Sequence, residues 1–147
     1  MLRANENRGF GYARNENGMS LFGLVLAVGT AGMTMGVDLA GSEWRPSFIS
    51  AADLPAGIKM QVEFQPDGRI TGSGGCNRFF GGYTVSGNHI KIGPLASTRK
   101  GCPDLLRAET ALFARLQAAS IFEQTDTTLT LFDEAGAKLA QFVRSGQ

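Results

Sequence analysis

Histidine occurs once in this chain of 147 residues, at His89, and cysteine twice, at Cys76 and Cys102. So few candidate ligands exclude a structural zinc site, and a single histidine removes most histidine-dependent catalytic arrangements. Two cysteines also fall short of a small disulfide-framework protein. An excess of one charge is missing: the formal net charge is +1. No global field therefore draws the chain to nucleic acid or anionic lipid, and neither is expected as a partner. Charged residues make up 18% against 43% hydrophobic. That balance excludes a disordered chain and supplies one domain with a packed core. No metal, cofactor or catalytic residue is expected.

Glycine is plentiful, with 20 residues, which points to many turns and to strands more than helices. Residues 1–18 are polar, mix Arg3, Arg8 and Arg14 with Glu6 and Glu16, and show no apolar periodicity. They read as a flexible or extraneous segment. The run Ser20-Leu-Phe-Gly-Leu-Val-Leu-Ala-Val28, followed by Gly29-Thr-Ala-Gly32, has the layout of an export signal or membrane anchor. Its glycines weaken it as a spanning helix, so a Gly-rich tail that packs or frays is the competing reading. No cysteine follows closely, which speaks against a lipid-modified N-terminal cysteine. The expected organisation is a flexible segment over 1–37, with membrane association possible through 19–37, and a folded domain over 38–147.

Trp44 and its neighbours in Ser42-Glu-Trp-Arg-Pro-Ser-Phe-Ile49 suggest a first strand. Lys59-Met-Gln-Val-Glu-Phe-Gln65 alternates apolar and polar, so Met60, Val62 and Phe64 share one face of a half-buried strand. Pro66-Asp-Gly68 is a turn, and Arg69 onward returns as its hairpin partner. Phe79, Phe80, Tyr83 and Val85 mark another strand, with Gly81 and Gly82 read as a bulge or close backbone approach. Ser86-Gly-Asn88 turns into a strand at His89-Ile-Lys-Ile92. A helix is expected from Cys102 to Ser120, with Pro103 and Asp104 in its first turn. Its apolar stripe is Leu105, Ala108, Leu112, Leu116 and Ala119, widened by Phe113. Alternating segments at 128–132 and 138–143 close the chain as a hairpin.

The twelve residues Gly72-Ser-Gly-Gly-Cys-Asn-Arg-Phe-Phe-Gly-Gly-Tyr83 are the centre of this reading. Between Cys76 and Cys102 lie 25 residues. In an oxidising compartment a bridge is the preferred reading, worth about 3.5 kcal/mol on the chain-entropy model. The alternative is a reactive thiol: Cys102 stands at a helix start behind Arg99 and Lys100, which favour a thiolate and thus a thiol-dependent redox enzyme. Unpaired, inert cysteines are the third possibility. His89 reads as a partly exposed strand residue. The glycine loop lacks the Lys-Ser/Thr of a phosphate cradle. Phe79, Phe80 and Tyr83 read as core and barrel-wall aromatics more readily than as base-stacking platforms.

Gly75-Cys-Asn77, Gly82-Tyr83, Thr98, Cys102, Glu109, Phe113 and Leu116, with the opening Leu39-Ala-Gly-Ser-Glu-Trp44, resemble the META domain family, also called HslJ-like. The resemblance covers about 38–144. One departure is Lys100, two before Cys102, where the family often has a methionine-like residue. The resemblance implies an α+β fold: mainly antiparallel strands in an open, cracked barrel-like sheet with one α-helix packed against it. It implies a disulfide between Cys76 and Cys102, and a non-enzymatic bacterial envelope, periplasmic or secreted domain, often lipoprotein-borne; a monomer is expected. Members are linked to heat shock, novobiocin resistance and motility. A likeness to secretion pilotins implies a protein partner or an apolar, lipid-like ligand held in a concave apolar pocket.

Overall fold

The computed structural model describes residues 38–145; the expected export or anchor run at 19–37 lies outside them. In chain order the elements are β1 (Ser42–Ile49), β2 (Gln61–Phe64), β3 (Arg69–Ser73), β4 (Arg78–Ser86), β5 (His89–Ile92) and β6 (Ala96–Ser97). The helix α1 (Leu106–Ala118) follows, then β7 (Ile121–Gln124), β8 (Thr128–Phe132) and β9 (Lys138–Arg144). The strict alternation in β2 shows directly in its packing, with Val62 and Phe64 buried and Gln61 and Glu63 half-buried on the other face. The turn before β3 closes as its residues require: the Gly68 N–H donates to the Gln65 carbonyl at 3.2 Å. Gly68 takes φ +87°, a conformation that a side chain disfavours.

All strand pairs are antiparallel. Eight of the nine strands form a ring, in the order β1, β2, β3, β4, β5, β7, β8, β9 and back to β1; β6 rides on the edge of β4. The expected barrel-like sheet is thus present, and it closes on itself. Closure is narrowest between β5 and β7, where His89 faces Ile121 as a single pair. Two hydrogen bonds flank that pair, Ile90 N–H to the Ser120 carbonyl at 3.0 Å and Phe122 N–H to the Asn88 carbonyl at 2.9 Å.

β5 and β6 pair with the same edge of β4, interrupted at 93–95. Gly81 makes this possible. A Cβ there would stand 2.7 Å from the Pro94 carbonyl oxygen and 2.9 Å from a Leu95 methyl. The expected close backbone approach at Gly81 is therefore real.

The barrel interior is filled. Trp44, Phe64, Ile70, Phe79, Leu129, Leu131 and Phe142 are fully buried within it. α1 lies against β9, β1 and β5 and buries Ala108, Glu109, Leu112 and Leu116. Removing each leucine side chain from water contributes about 2–3 kcal/mol. Ala119 completes the predicted stripe, and Phe113 packs its ring 5.1 Å from Phe79.

Three expectations are corrected. The helix begins at Leu106, because 103–105 form a turn in which the Leu105 N–H reaches back to the Cys102 carbonyl at 2.9 Å. Pro103 and Asp104 thus precede the helix. A strand absent from the sequence reading, β7, follows it directly; Ile121 and Phe122 carry no alternation to mark it. Phe80, read as barrel wall, points outward and is 55% exposed.

Candidate functional site

The glycine-rich loop between β3 and β4 turns sharply. The Gly74 N–H donates to the Asn77 carbonyl at 2.9 Å and the Gly75 N–H to Ser73 Oγ at 3.1 Å. Gly75 has φ +101°, and a Cβ there would come 2.9 Å from an Ile58 methyl. At Gly74 a Cβ would overlap the Glu109 side chain, 2.6 Å from its Oε2. Two of these glycines are thus required by space or backbone conformation.

Into that space α1 delivers Glu109, 4% exposed. Its Oε2 accepts the backbone N–H of Asn77 at 2.6 Å and of Cys76 at 3.2 Å. Its Oε1 accepts Asn77 Nδ2 at 2.7 Å. Asn77, itself buried, spends its other capacity on the segment before Cys102. Its Oδ1 accepts the Lys100 N–H at 2.6 Å and the Thr98 hydroxyl at 2.9 Å, and its Nδ2 also donates to the Lys100 carbonyl at 3.2 Å. Thr98 Oγ1 in turn accepts the Arg78 N–H at 3.1 Å. Every side-chain polar atom of Glu109, Asn77 and Thr98 has a partner, which is the condition for a buried polar group to avoid a large penalty.

Alongside the clasp, Cys76 and Cys102 form a disulfide with a Cα–Cα distance of 6.2 Å, and no free cysteine remains. The predicted residues Gly75, Cys76, Asn77, Thr98, Cys102 and Glu109 therefore meet at one place. The departure at Lys100 is absorbed, because the clasp uses only its backbone and its side chain is exposed. Gly82 and Tyr83 lie further along β4. Tyr83 donates its hydroxyl to the Gln65 carbonyl at 2.8 Å and sets its ring edge-on to Phe64, 5.0 Å away. Its hydroxyl pKa is raised by burial first, then by the carboxylates of Asp38 and Asp67. His89 is exposed at the start of β5.

Sequence reasoning missed Gly74 as a partner of Glu109. The available signal was a glutamate inside the apolar stripe, directly after Ala108 and three before Leu112.

Chemically this arrangement braces the glycine loop against α1 and the segment before Cys102. Among the described residues no cluster of His, Cys, Asp or Glu fits a metal ion, and no helix is long and apolar enough to cross a membrane. The recesses of the described surface have mixed linings. One of about 310 Å³ crosses the outside of β2–β4 at Gln61, Glu63, Thr71, Ser73, Arg78 and Phe80. Another of about 580 Å³ lies beside Glu43, Arg45, Lys59 and Gln61.

Two solved structures share the fold. A solution NMR structure of a protein from Burkholderia xenovorans has TM-score 0.57 and 19% identity, over 79% of this chain and 96% of that one. A second NMR structure has TM-score 0.56 and 23% identity, over 74% and 95%. A DUF4847 family protein from Bacteroides vulgatus gives TM-score 0.49 and 21% identity, and the chain spans 60% of that protein's length and aligns over 60% of its own. No curated protein matches the chain significantly. The META domain model matches residues 37–146, and on that match the chain belongs to the META domain family.

Proposed function

We propose that this domain is a non-enzymatic module of the bacterial envelope or of the secreted fraction, and that it works by binding a protein partner on its outer surface. The observation that carries the reading is the filled barrel. Seven large side chains from β1–β4, β8 and β9 occupy the interior, so recognition falls to the outside, where the recesses lie. This supports a protein partner over an apolar ligand held within.

The Cys76–Cys102 bridge is compatible with an oxidising compartment. It also engages Cys102, which favours bracing over a thiol-dependent redox enzyme. The stress and antibiotic-resistance link of the family belongs to this reading as its physiological setting.

Alkylation of unreduced protein from fractionated cells tests compartment and chemistry together. No modifiable thiol, with the protein in the periplasmic or extracellular fraction, is expected. Two reactive thiols in a cytosolic fraction, or peroxide turnover dependent on Cys102, would overturn it. Photo-crosslinking from outward strand positions in cells is expected to give discrete protein adducts.

A further inference from the structure

From Gly68 to Pro103 the chain contains no aspartate or glutamate, yet it carries Arg69, Arg78, Lys91, Arg99 and Lys100. All five are exposed. This stretch spans β3–β6, so the near-neutral total conceals a one-signed sector of the barrel.

The strand register places its members. Arg78 faces Ser73, Phe80 faces Thr71, Arg69 faces Gly82 and Lys91 faces Thr84. Phe79, Ile70, Ile90 and Ile92 alternate with them and are buried. Arg69, Arg78, Phe80 and Lys91 therefore stand on the outer surface. Arg69 has a carboxylate neighbour, Asp67, at 3.7 Å in a well-exposed pair that is worth little.

Next to them the sheet ends. β6 is its terminal strand, and among the described residues no strand pairs with its far edge. Thr98 N–H bonds the Arg78 carbonyl, so Ser97, one residue earlier, turns its N–H and C=O away from β4. The open backbone groups are thus those of Ser97, between the Leu95 N–H held by Gln117 Oε1 at 3.0 Å and Lys100 held by Asn77, and they stand near the groove holding Thr98 and Phe80, where Glu63 is the one carboxylate of the lining.

We infer that this sector docks an extended acidic polypeptide segment. The segment pairs its backbone with the free edge of β6 at Ser97. It sets an apolar side chain against Phe80 and places carboxylates near Arg78, Arg99 and Lys100. A polypeptide is favoured over nucleic acid or an anionic lipid surface because only a peptide backbone matches an unpaired strand edge. The inference rests on the partner-binding reading above and specifies its surface and chemistry.

The test uses the full chain and a fluorescein-labelled peptide alternating Glu and Val around one Phe, followed by anisotropy. Saturable, salt-sensitive binding is expected. It should weaken roughly tenfold or more in Arg78→Glu/Arg99→Glu/Lys100→Glu and in Phe80→Ser, all exposed positions, and stay unchanged in Arg45→Glu. N-methylation of alternate peptide bonds should weaken it similarly, since it removes the ladder hydrogen bonds. Absence of binding, indifference to N-methylation, or preference for duplex oligonucleotide or phosphatidylglycerol vesicles overturns the inference. Crosslinks in cells from Arg45 but not from Phe80 would overturn this surface and leave the partner-binding reading standing. Absence of adducts from every outward position would remove the broader reading as well.

Discussion

Asn77 and Glu109, on the loop before β4 and on α1, are joined by two hydrogen bonds, 2.6 Å from the Asn77 backbone N–H and 2.7 Å from its side-chain amide. The pair links the glycine loop to the helix without using the disulfide beside it. Three N–H donors, from the Cys76 and Asn77 backbone and the Asn77 amide, compensate the burial of Glu109. One oxygen of Glu109 faces two N–H groups and the other faces one. Glu109→Gln cannot match all three, because one of its terminal atoms becomes a donor facing a donor. A loss of about 1–3 kcal/mol is expected. Urea unfolding followed by the fluorescence of Trp44, the single tryptophan, measures it. An unchanged midpoint would remove the clasp from the account.

The disulfide and the clasp act on the same two segments by different means. Cys76→Ser/Cys102→Ser is therefore expected to fold, keep its circular dichroism spectrum, and lose up to about 3.5 kcal/mol, the loop-closure entropy for this separation. Failure to fold would mean that the covalent tie, and not Asn77, organises the loop.

Gln124 offers a gain. It faces Leu129 across β7 and β8, and both atoms of its side-chain amide are buried without a hydrogen-bond partner among the described residues. Gln124→Met keeps the length and removes the polar atoms. Stability should rise by about 1 kcal/mol, read as a higher Tm in calorimetry. A lower Tm would show that the amide is satisfied.

Tyr83 sets an alkaline limit. Its pKa lies above the ordinary 10.0, by burial first and the carboxylates of Asp38 and Asp67 second. Below pH 10.0 the phenol is neutral in both folded and unfolded chains, and the associated stability is fully present. As pH rises, the unfolded phenol ionises first, and that stability is lost through the folded-state pKa. Tyr83→Phe costs about 1 kcal/mol at neutral pH through the lost bond to Gln65. The gap between wild type and variant should narrow above pH 10.0 in urea titrations at matched salt. A gap that holds constant into strong alkali contradicts the raised pKa.

Much of the fold was legible where one face of an element is buried and the other wet. Met60, Val62 and Phe64 announce β2 because each must alternate to reach the interior, and Leu112 and Leu116 announce α1 for the analogous helical reason. β7 was not legible. Its residues are half-buried or exposed throughout, so no period marks them, and its place is set by pairing with β8. Phe80 misled because aromatic content alone does not reveal which way a side chain points; only its register opposite Thr71 does. The pairing of Cys76 with Cys102 was the preferred reading of the residues and was also implied by the family likeness, whereas the hydrogen bonds that join Asn77 and Thr98 beside it were not legible. The role of Glu109 as acceptor for Asn77 needed the helix docked on the loop, a long-range relation no local pattern carries.

β1 begins where β9 ends: Trp44 faces Arg144, whose guanidinium covers the indole at 4.6 Å, and the Ser145 N–H donates to the Glu43 carbonyl at 2.9 Å. The chain thus enters and leaves the barrel at one doorway. A short linker across it would allow the order of strands to be recut at the exposed Gly87-Asn88 turn, giving a circular permutant with the same ring. The same doorway lets the domain be grafted into a surface loop of a host protein without stretching either one.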